Sequence, residues 1–460
     1  MFYRSVLILG LGRSGKEAAL LLRDKGAKVT VAERERNFFT LRRKEKLKEY
    51  GAEVVFGFHQ NNLLEGKDLI VLSPGISGDL PVIKKALSSN IPVVGELEVA
   101  SWFIPRKNII AVTGTNGKTT TTFLIYKVLK RGGLPVEIGG NIGVPLSRLA
   151  RTYPYEDPSR RLVIEVSSFQ LEVSDTFSPH IYCILNITPD HLDRHHSFSK
   201  YREIKAKPIF KMKRDDFVIL NYDQQSVRSL GELTRAKTVF FSQKEKLPQG
   251  VFIDNGSIVV NIFGDKFFIP LENLQIHKFH SWENVLCAVA CSVIQGVNPE
   301  IVRDTLVNYN PLPHRQEFIA EISEVKFVND SKATNQAAVE NMIGSLEGPC
   351  VLIMGGKDKG SDFSILRKYI PDKIKSLVVT GEAGERIIKQ LEGISIPVKK
   401  CEGLKEAVRI AFSLSKKGDH VVLSPGCSSF DEFKSYRHRG RVFKKEVERL
   451  RREIEREKSV

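Results

Sequence analysis

Short apolar runs separated by amphipathic stretches of helical period recur along nearly the whole chain, and this alternation predicts α/β units built on parallel sheets. The first runs fall at 6–9, 28–32, 53–55, 69–72 and 92–94, a compact group closing near Pro105. A second group opens at "NIIAVTG" and continues through 162–166, 181–185 and 217–220. The stretch from "KTVFFSQ" to "GVFIDNGSIVVNIFGDKFFIPL" reads differently. It is rich in β-branched and aromatic residues, with Asn-Gly and Gly-Asp turns, and predicts antiparallel hairpins in a small sheet. "LPHRQE" (312–317) marks the next boundary. After it "EVKFVND", "PCVLIMGG", "SLVVTGE" and "HVVLSPG" each end in a polar, glycine-bearing loop. Phe443, Val447, Leu450 and Ile454 follow helical spacing in the tail, which predicts a closing helix docked on its own domain. The expected architecture is three α/β domains. They span residues 1–105, 106–311 and 312–460, the middle one with a mostly parallel sheet plus the small antiparallel one.

Composition narrows the classes. At 460 residues the chain exceeds what one core serves. Its apolar share of 42% and charged share of 27% describe a globular protein with surface to bury. The formal charge of +16 favours anionic partners, although much of it can simply solvate the surface. Nucleic acid is not expected, because no basic stretch is interleaved with aromatics. No apolar stretch reaches the roughly 18 residues a membrane span needs, and no leader-like run precedes the first strand. The six cysteines (183, 287, 291, 350, 401, 427) contain no CxxC pair and suit buried, reduced thiols in the cytoplasm.

In open parallel sheets ligands gather at the carboxyl ends of strands. The first run ends in Gly10-x-Gly12-x-x-Gly15, with Glu33 closing the second run about 20 positions on, a dinucleotide-type turn. The same turn suits the pyrophosphate and ribose of a UDP group, so it cannot choose a ligand alone. "VTGTNGKTTTT" (112–122) follows a strand and leads into a helix. Its Gly114-Thr115-Asn116-Gly117-Lys118-Thr119 is a shortened P-loop, since the strict pattern asks for glycine where Val112 stands. Backbone N–H groups and the helix N-terminus suit phosphate, Lys118 suits β/γ charge, and the Thr119 hydroxyl suits Mg²⁺. Glu165 interrupts an otherwise apolar strand, so it either meets solvent or is compensated by a cation. Asp190, His191 and Asp193 follow another strand. Zn²⁺ would want a cleaner His/Cys set, whereas Mg²⁺ beside phosphates needs only one or two protein carboxylates.

Together these segments resemble the Mur ligase family. "GLGRSG", "SPGI", "GTNGKTT", "GGNIG", "EVSSFQLE", "NITPDHLDRH", "YREIKAK", "LPHRQE", "NDSKATN", "GGKDKG" and "LSPGCSSFDEFKSYRHRG" follow the family's order. "GTNGKT" alone marks only a wider group that includes folylpolyglutamate synthases. "SSFQLE", "DSKATN" and the last segment point to the D-glutamate-adding branch. The resemblance implies a Rossmann-like UDP-substrate domain at 1–105, a central P-loop ATPase domain at 106–311 and a Rossmann-like amino-acid domain at 312–460. It implies that ATP activates the carboxylate of UDP-N-acetylmuramoyl-L-alanine as an acyl phosphate, which the amine of D-glutamate then attacks. It implies ATP contacts at Gly114, Thr115, Asn116, Gly117, Lys118, Thr119, Thr120, Asn284, Arg315 and Asp330. It implies two Mg²⁺ ions held by Thr119, Glu165, His191 and a carbamylated Lys205, with Lys118 completing the catalytic set. The UDP-substrate would meet Arg13, Ser14, Glu33, Arg34, Gly75, Asn141, Ser167 and Gln170. D-Glutamate would meet Lys332, Thr334, Lys359, Ser429 and Tyr436. Ser429-x-x-Glu432 also reads as a capping box opening a helix.

Three positions depart from the family. Glu33-Arg34-Glu35 replaces Asp-Thr-Arg, Ser281 replaces an asparagine in the His280–Asn284 motif, and Tyr436 replaces phenylalanine. Lys207 stands two residues from Lys205 as a competing lysine. A cytoplasmic monomer is expected. A dehydrogenase would leave the P-loop and third domain unused. Another amide ligase would not need "SSFQLE", and a non-catalytic regulator would not need Glu165 or His191.

Overall fold

The computed structural model describes residues 3–57, 63–76, 78–152, 157–274, 282–309, 312–357 and 360–458. Its contacts divide the chain into two compact units, Met1–Pro270 with Glu283–Thr305, and Leu271–Trp282 with Leu306–Val460.

The first unit holds two sheets. One contains β1 (Ser5–Leu9), β2 (Lys28–Glu33), β3 (Glu53–Phe56), β4 (Leu69–Leu72) and β5 (Val93–Gly95) in the order 3-2-1-4-5. All its pairings are parallel. Val6, Leu7, Ile8 and Leu9 are all fully buried, as expected of a strand covered on both faces. The order reverses at β1, so the glycine turn following it lies at the sheet's switch point.

The other sheet contains β6 (Ile109–Thr113), β7 (Val136–Gly140), β8 (Arg161–Glu165), β9 (Ile181–Ile184), β10 (Phe217–Asn221), β11 (Lys237–Ser242), β12 (Gly250–Asp254), β13 (Ser257–Ile262) and β14 (Asp265–Pro270). Its order is 14-13-12-11-10-9-6-8-7, which places β6 between β9 and β8. The antiparallel strands do not form a separate small sheet. β12 pairs in parallel with β11, and β13 and β14 continue the same sheet as its edge. The two turns are two-residue connections, Asn255-Gly256 and Phe263-Gly264, with φ of 45°, 70°, 51° and 96°. Positive φ at both positions gives the hairpin twist that matches its strands. β7 was not anticipated, because "VEIGG" has neither a continuous apolar run nor clean alternation. The two sheets share one unit because the elements between them interlock. The backbone N–H of Ser147 donates to buried Glu96 Oε1 at 2.7 Å, and Arg151 pairs with Asp24 at 2.6 Å.

The second unit holds β15 (Glu317–Ile322), β16 (Val325–Asn329), β17 (Cys350–Gly355), β18 (Ile374–Thr380), β19 (Val398–Lys400) and β20 (His420–Leu423), ordered 15-16-20-17-18-19. Only β15–β16 is antiparallel. β15 and β19, the two edges, were not anticipated. The closing helix Tyr436–Lys458 buries Phe443, Val447 and Leu450 against one face of this sheet, with Ile454 at the margin, as its period predicts. Its other faces carry i,i+3 and i,i+4 pairs such as Glu448 with Arg451 and Arg452.

All six cysteines are free and buried. Among the described residues no helix is long and apolar enough to cross a membrane. Phe443→Ala should lower the stability of the second unit by about 3–5 kcal/mol through lost burial and an unfilled cavity. Urea unfolding of the whole chain, followed by a probe in that unit, checks the value.

Candidate active site

The loop after β6 is shaped by two glycines, Gly114 at φ 157° and Gly117 at φ 80°. A Cβ on Gly117 would stand 2.1 Å from Asn284 Oδ1, so no side chain fits there. Lys118 opens the helix Lys118–Arg131 and turns back over the loop, its Nζ donating to the carbonyls of Gly114 and Thr115 at 2.8 Å each. The loop is held by Asn186, which accepts from the Thr115 N–H at its carbonyl and from the Asn116 N–H at Oδ1, both at 2.8 Å. The Asn186 and Asn221 amides donate to the two oxygens of half-buried Glu283 at 3.0 and 2.9 Å. Burial raises the Glu283 carboxyl above its ordinary range, while the two amide contacts oppose the shift. Asn284, on the same helix, accepts from Thr121 Oγ1 at 3.2 Å, and Thr120 is buried behind the loop.

Beside this loop, at the end of β8, Glu165 is buried at 3% exposure. Thr119 Oγ1 donates to its Oε2 at 2.6 Å and Asn141 Nδ2 to its Oε1 at 2.9 Å. Among the described residues it forms no ion pair. A buried carboxylate whose hydrogen-bond partners are a hydroxyl and an amide suits a hard divalent ion that takes its other ligands from phosphates and water. It does not suit zinc, and among the described residues no three His, Cys, Asp or Glu side chains form a metal cluster.

The expected metal set is therefore only partly assembled by protein contacts. Thr119 meets Glu165. Lys205 is buried against the start of the loop, its Nζ donating to the Gly114 carbonyl at 2.8 Å and to Thr113 Oγ1 at 3.3 Å. Burial holds its ammonium pKa well below the ordinary value and Lys118 adds repulsion, while Asp190 and Glu165 act the other way. Lys207 points elsewhere, donating to the Glu172 carbonyl at 2.7 Å, so the two lysines are not interchangeable. His191 adopts φ 54° and packs its ring 4.8 Å from that of Phe169, with Asp190 Oδ2 3.7 Å from its Nε2. The Asp193 side chain lies outside the described residues. His195 carried no sequence-based assignment, yet it is buried, with Nε2 3.0 Å from Ser168 Oγ and its ring 5.4 Å from that of Tyr201. Its only signal was its place beside His196.

In the first sheet a Cβ on Gly15 would fall 2.0 Å from the Gly10 carbonyl, the close helix–strand approach the glycine turn requires. Arg13 and Ser14 open the following helix, and Arg13 donates to the Gly143 carbonyl. Glu33 turns inward. Its carboxylate accepts from the Leu11 N–H at 2.6 Å and the Glu35 N–H at 2.9 Å, buttressing the glycine turn. Arg34 is exposed, and Gly75 has open space where a side chain would be. Ser167 and Gln170 form a reciprocal capping box on the short helix Ser168–Glu172, a pattern visible in the sequence but not read from it. The box expected at Ser429-x-x-Glu432 is absent. There a single turn forms, with the Phe433 N–H donating to the Ser429 carbonyl at 2.8 Å, and the helix begins only at Tyr436.

In the second unit the Lys332 Nζ lies 4.9 Å from the Tyr436 ring centre, and Ser331 Oγ donates to the Tyr436 carbonyl at 2.9 Å. Ser429 is buried and Thr334 half-buried. Asp330 is buried between the Gln316 N–H at 3.3 Å and Ser424 Oγ at 3.2 Å. Burial pushes its carboxyl up to about 7, against the pull of those hydrogen bonds and of Arg315. Lys359, His280 and Ser281 lie outside the described residues.

A phosphate loop after an interior strand of a mostly parallel sheet, flanked by a carboxylate–hydroxyl pair, defines a P-loop α/β protein. Comparison narrows the class. Three family descriptions match in order: Mur ligase MurD-like N-terminal domain at 4–95, Mur ligase middle domain at 112–292, and Mur ligase glutamate ligase domain at 314–427. The UDP-N-acetylmuramoylalanine--D-glutamate ligase of Thermoanaerobacter sp. (strain X514) is 40% identical over 98% of this chain and 99% of its own. The protein of that name from Acidobacterium capsulatum is 40% identical over 96% of this chain and 95% of its own. The solved pseudomurein peptide ligase type C of Methanothermus fervidus shares the fold at TM-score 0.60 and 19% identity, over 97% of this chain and 100% of its own. The chain belongs to the Mur ligase family.

Asp330 makes stability depend on pH. Its folded pKa lies above the ordinary 3.8, so the folded state keeps the proton longer as pH rises. The wild-type second unit should lose stability relative to Asp330→Asn between pH 4 and 7, by at most about 4 kcal/mol, and level off above. Urea midpoints of both proteins across that range test the sign, and a gap that does not change with pH would contradict it.

Proposed function

We propose that this chain is an ATP-dependent amide ligase that adds D-glutamate to UDP-N-acetylmuramoyl-L-alanine in cytoplasmic peptidoglycan precursor synthesis. The observation that carries the reading is the full-length likeness to ligases of that one name. The geometry supports it. A carboxylate is a poor acylating group until its oxygen becomes phosphate, and moving a phosphoryl group calls for positioning and charge stabilisation more than for protein nucleophiles. In this reading Gly114–Thr120 and Asn284 hold the ATP phosphates and nucleoside, and Arg315 and Asp330 are the further nucleotide contacts that the family likeness implies. The terminal phosphoryl group passes to the L-alanine carboxylate as its bond to ADP breaks. The amine of D-glutamate then attacks the acyl carbon, the amide forms, phosphate leaves, and the amine gives up a proton.

Thr119, Glu165, His191 and a carbamylated Lys205 would hold Mg²⁺, which supplies charge neutralisation at the phosphates when bound. Burial that disfavours the Lys205 ammonium favours the neutral amine that adds CO₂ with loss of a proton, turning a cation into an anion. Arg13, Ser14, Arg34, Gly75, Asn141, Ser167 and Gln170 line the UDP-substrate path. Glu33 serves it indirectly, through the glycine turn it buttresses. Lys332, Thr334, Lys359, Ser429 and Tyr436 receive D-glutamate. The residues 1–105, 106–311 and 312–460 serve UDP-substrate, ATP and amino acid in turn, and the enzyme works as a monomer. The dehydrogenase alternative loses its acidic ribose partner, since both Glu33 oxygens are engaged inside the protein.

Phosphate release should require ATP, Mg²⁺, UDP-N-acetylmuramoyl-L-alanine and D-glutamate together, with L-glutamate inactive. Release with no dependence on D-glutamate in folded protein would overturn the assignment. Lys205→Ala should lose more than about 100-fold in kcat, the scale of a lost transition-state charge contact. Lys207→Ala should stay within a few-fold. Equal losses in the two variants would refute the role given to Lys205.

A further inference from the structure

Arg439 sits one turn into the helix Tyr436–Lys458 and is 3% exposed. Its guanidinium donates to five oxygens. Nε reaches Ser331 Oγ at 3.1 Å. Nη2 reaches the carbonyls of Ser331 at 2.9 Å and Cys427 at 3.0 Å, and Nη1 those of Gly355 at 3.3 Å and Ser428 at 3.4 Å. These oxygens belong to three separate segments, at the carboxyl ends of β16, β17 and β20. Gly356 leaves room for the contact, since a Cβ there would stand 2.9 Å from Nη1 and 2.3 Å from the Ser428 carbonyl.

The segments after β16 and β20 carry Lys332, Thr334 and Ser429, while Tyr436 lies three residues before Arg439 on the same helix. Only a planar fork with five donors spans such a set. A lysine ammonium offers three donors from one point. Among the described residues Arg439 forms no ion pair, and Asp431, Glu432 and Asp330 act on it only through their fields. A buried positive charge whose direct contacts are four carbonyls and one hydroxyl therefore remains at this end of the sheet. It suits an acceptor that brings two carboxylates.

We propose that Arg439 is a positioning residue for the acceptor amino acid, fixing the segments after β16, β17 and β20 relative to one another and lending them positive potential. The inference rests on the D-glutamate ligase reading and adds to it a residue that touches no substrate. Its signature is a split among kinetic constants. In the full-length Arg439→Lys protein the KM for D-glutamate should rise at least tenfold, with the KM values for ATP and the UDP-substrate within twofold. In Arg439→Ala, millimolar guanidinium should restore part of the D-glutamate affinity, whereas ammonium at equal ionic strength should not. Where the alanine variant does not fold, the lysine variant carries the test. Amide hydrogen exchange should then quicken at 331–335 and 427–430 in the lysine variant while the loop 114–117 stays unchanged. An unaltered KM for D-glutamate would overturn the proposal. So would three constants that move together with a lowered melting point, because that is the pattern of a fold defect. A wild-type protein inert towards D-glutamate would instead sink the ligase reading, and the proposal with it.

Discussion

The phosphate loop is only as well placed as Asn186 makes it. Two loop N–H groups end on this one residue, and its own amide is anchored by a carboxylate that also holds Asn221. Buried polar groups are costly unless every one finds a partner, so the cluster has one low-energy arrangement. Strand β9 leads into Asn186, β10 ends at Asn221, and a later helix supplies Glu283. Three elements distant in sequence thus converge on a loop of a few residues, and their packing becomes a constraint on where phosphate oxygens can sit. The hydrophobic faces of the sheet earn their part in function this way: they hold the carboxyl ends of β6, β9 and β10 in register.

Charge is handled differently at each buried site. Glu165 is met by a hydroxyl and an amide, Asp330 by a hydroxyl and a backbone N–H, Lys205 by a carbonyl and a hydroxyl. In each case these hydrogen-bond partners are neutral groups. Such groups are held away from their ordinary protonation balance and respond strongly to a ligand that arrives with charge of its own. Asp216, by contrast, pairs with Arg106 and lies 2.9 Å from His180 Nδ1 at the amino ends of β9 and β10, away from the strand ends where ligands gather.

Much of this was legible in the chain. Buried parallel strands are continuous apolar runs, so nearly all the central strands could be read directly. The strands that escaped were at or near sheet edges, β7, β15 and β19, where one side faces solvent and Lys399, Glu321 or Gly139 dilutes the pattern. The glycine turn and the phosphate loop were legible because backbone conformation restricts composition there. Glu33 was read correctly as the acidic end of a strand, but only coordinates show it bent back onto the Leu11 amide. Capping chemistry misled in both directions. Ser167-x-x-Gln170 makes a box and Ser429-x-x-Glu432 does not, because a cap needs helical residues beyond it, and the chain after Ser429 closes a single turn before straightening. Asn186, His195 and Arg439 act through geometry alone, and nothing in their local spacing announces it.

The pair Gly355-Gly356 carries a consequence for how such an enzyme can change. A methyl on the first would fall 1.8 Å from the Thr380 carbonyl, and one on the second 2.3 Å from the Ser428 carbonyl. Main chain rests on main chain along this seam, leaving no side chain whose trimming or growth could reshape it. On the proposed reading, drift towards a different acceptor is channelled away from the framework and onto the groups it presents, such as the ring at Tyr436 or the stem of Lys332. A lineage could swap these one at a time while the seam beneath them stayed frozen.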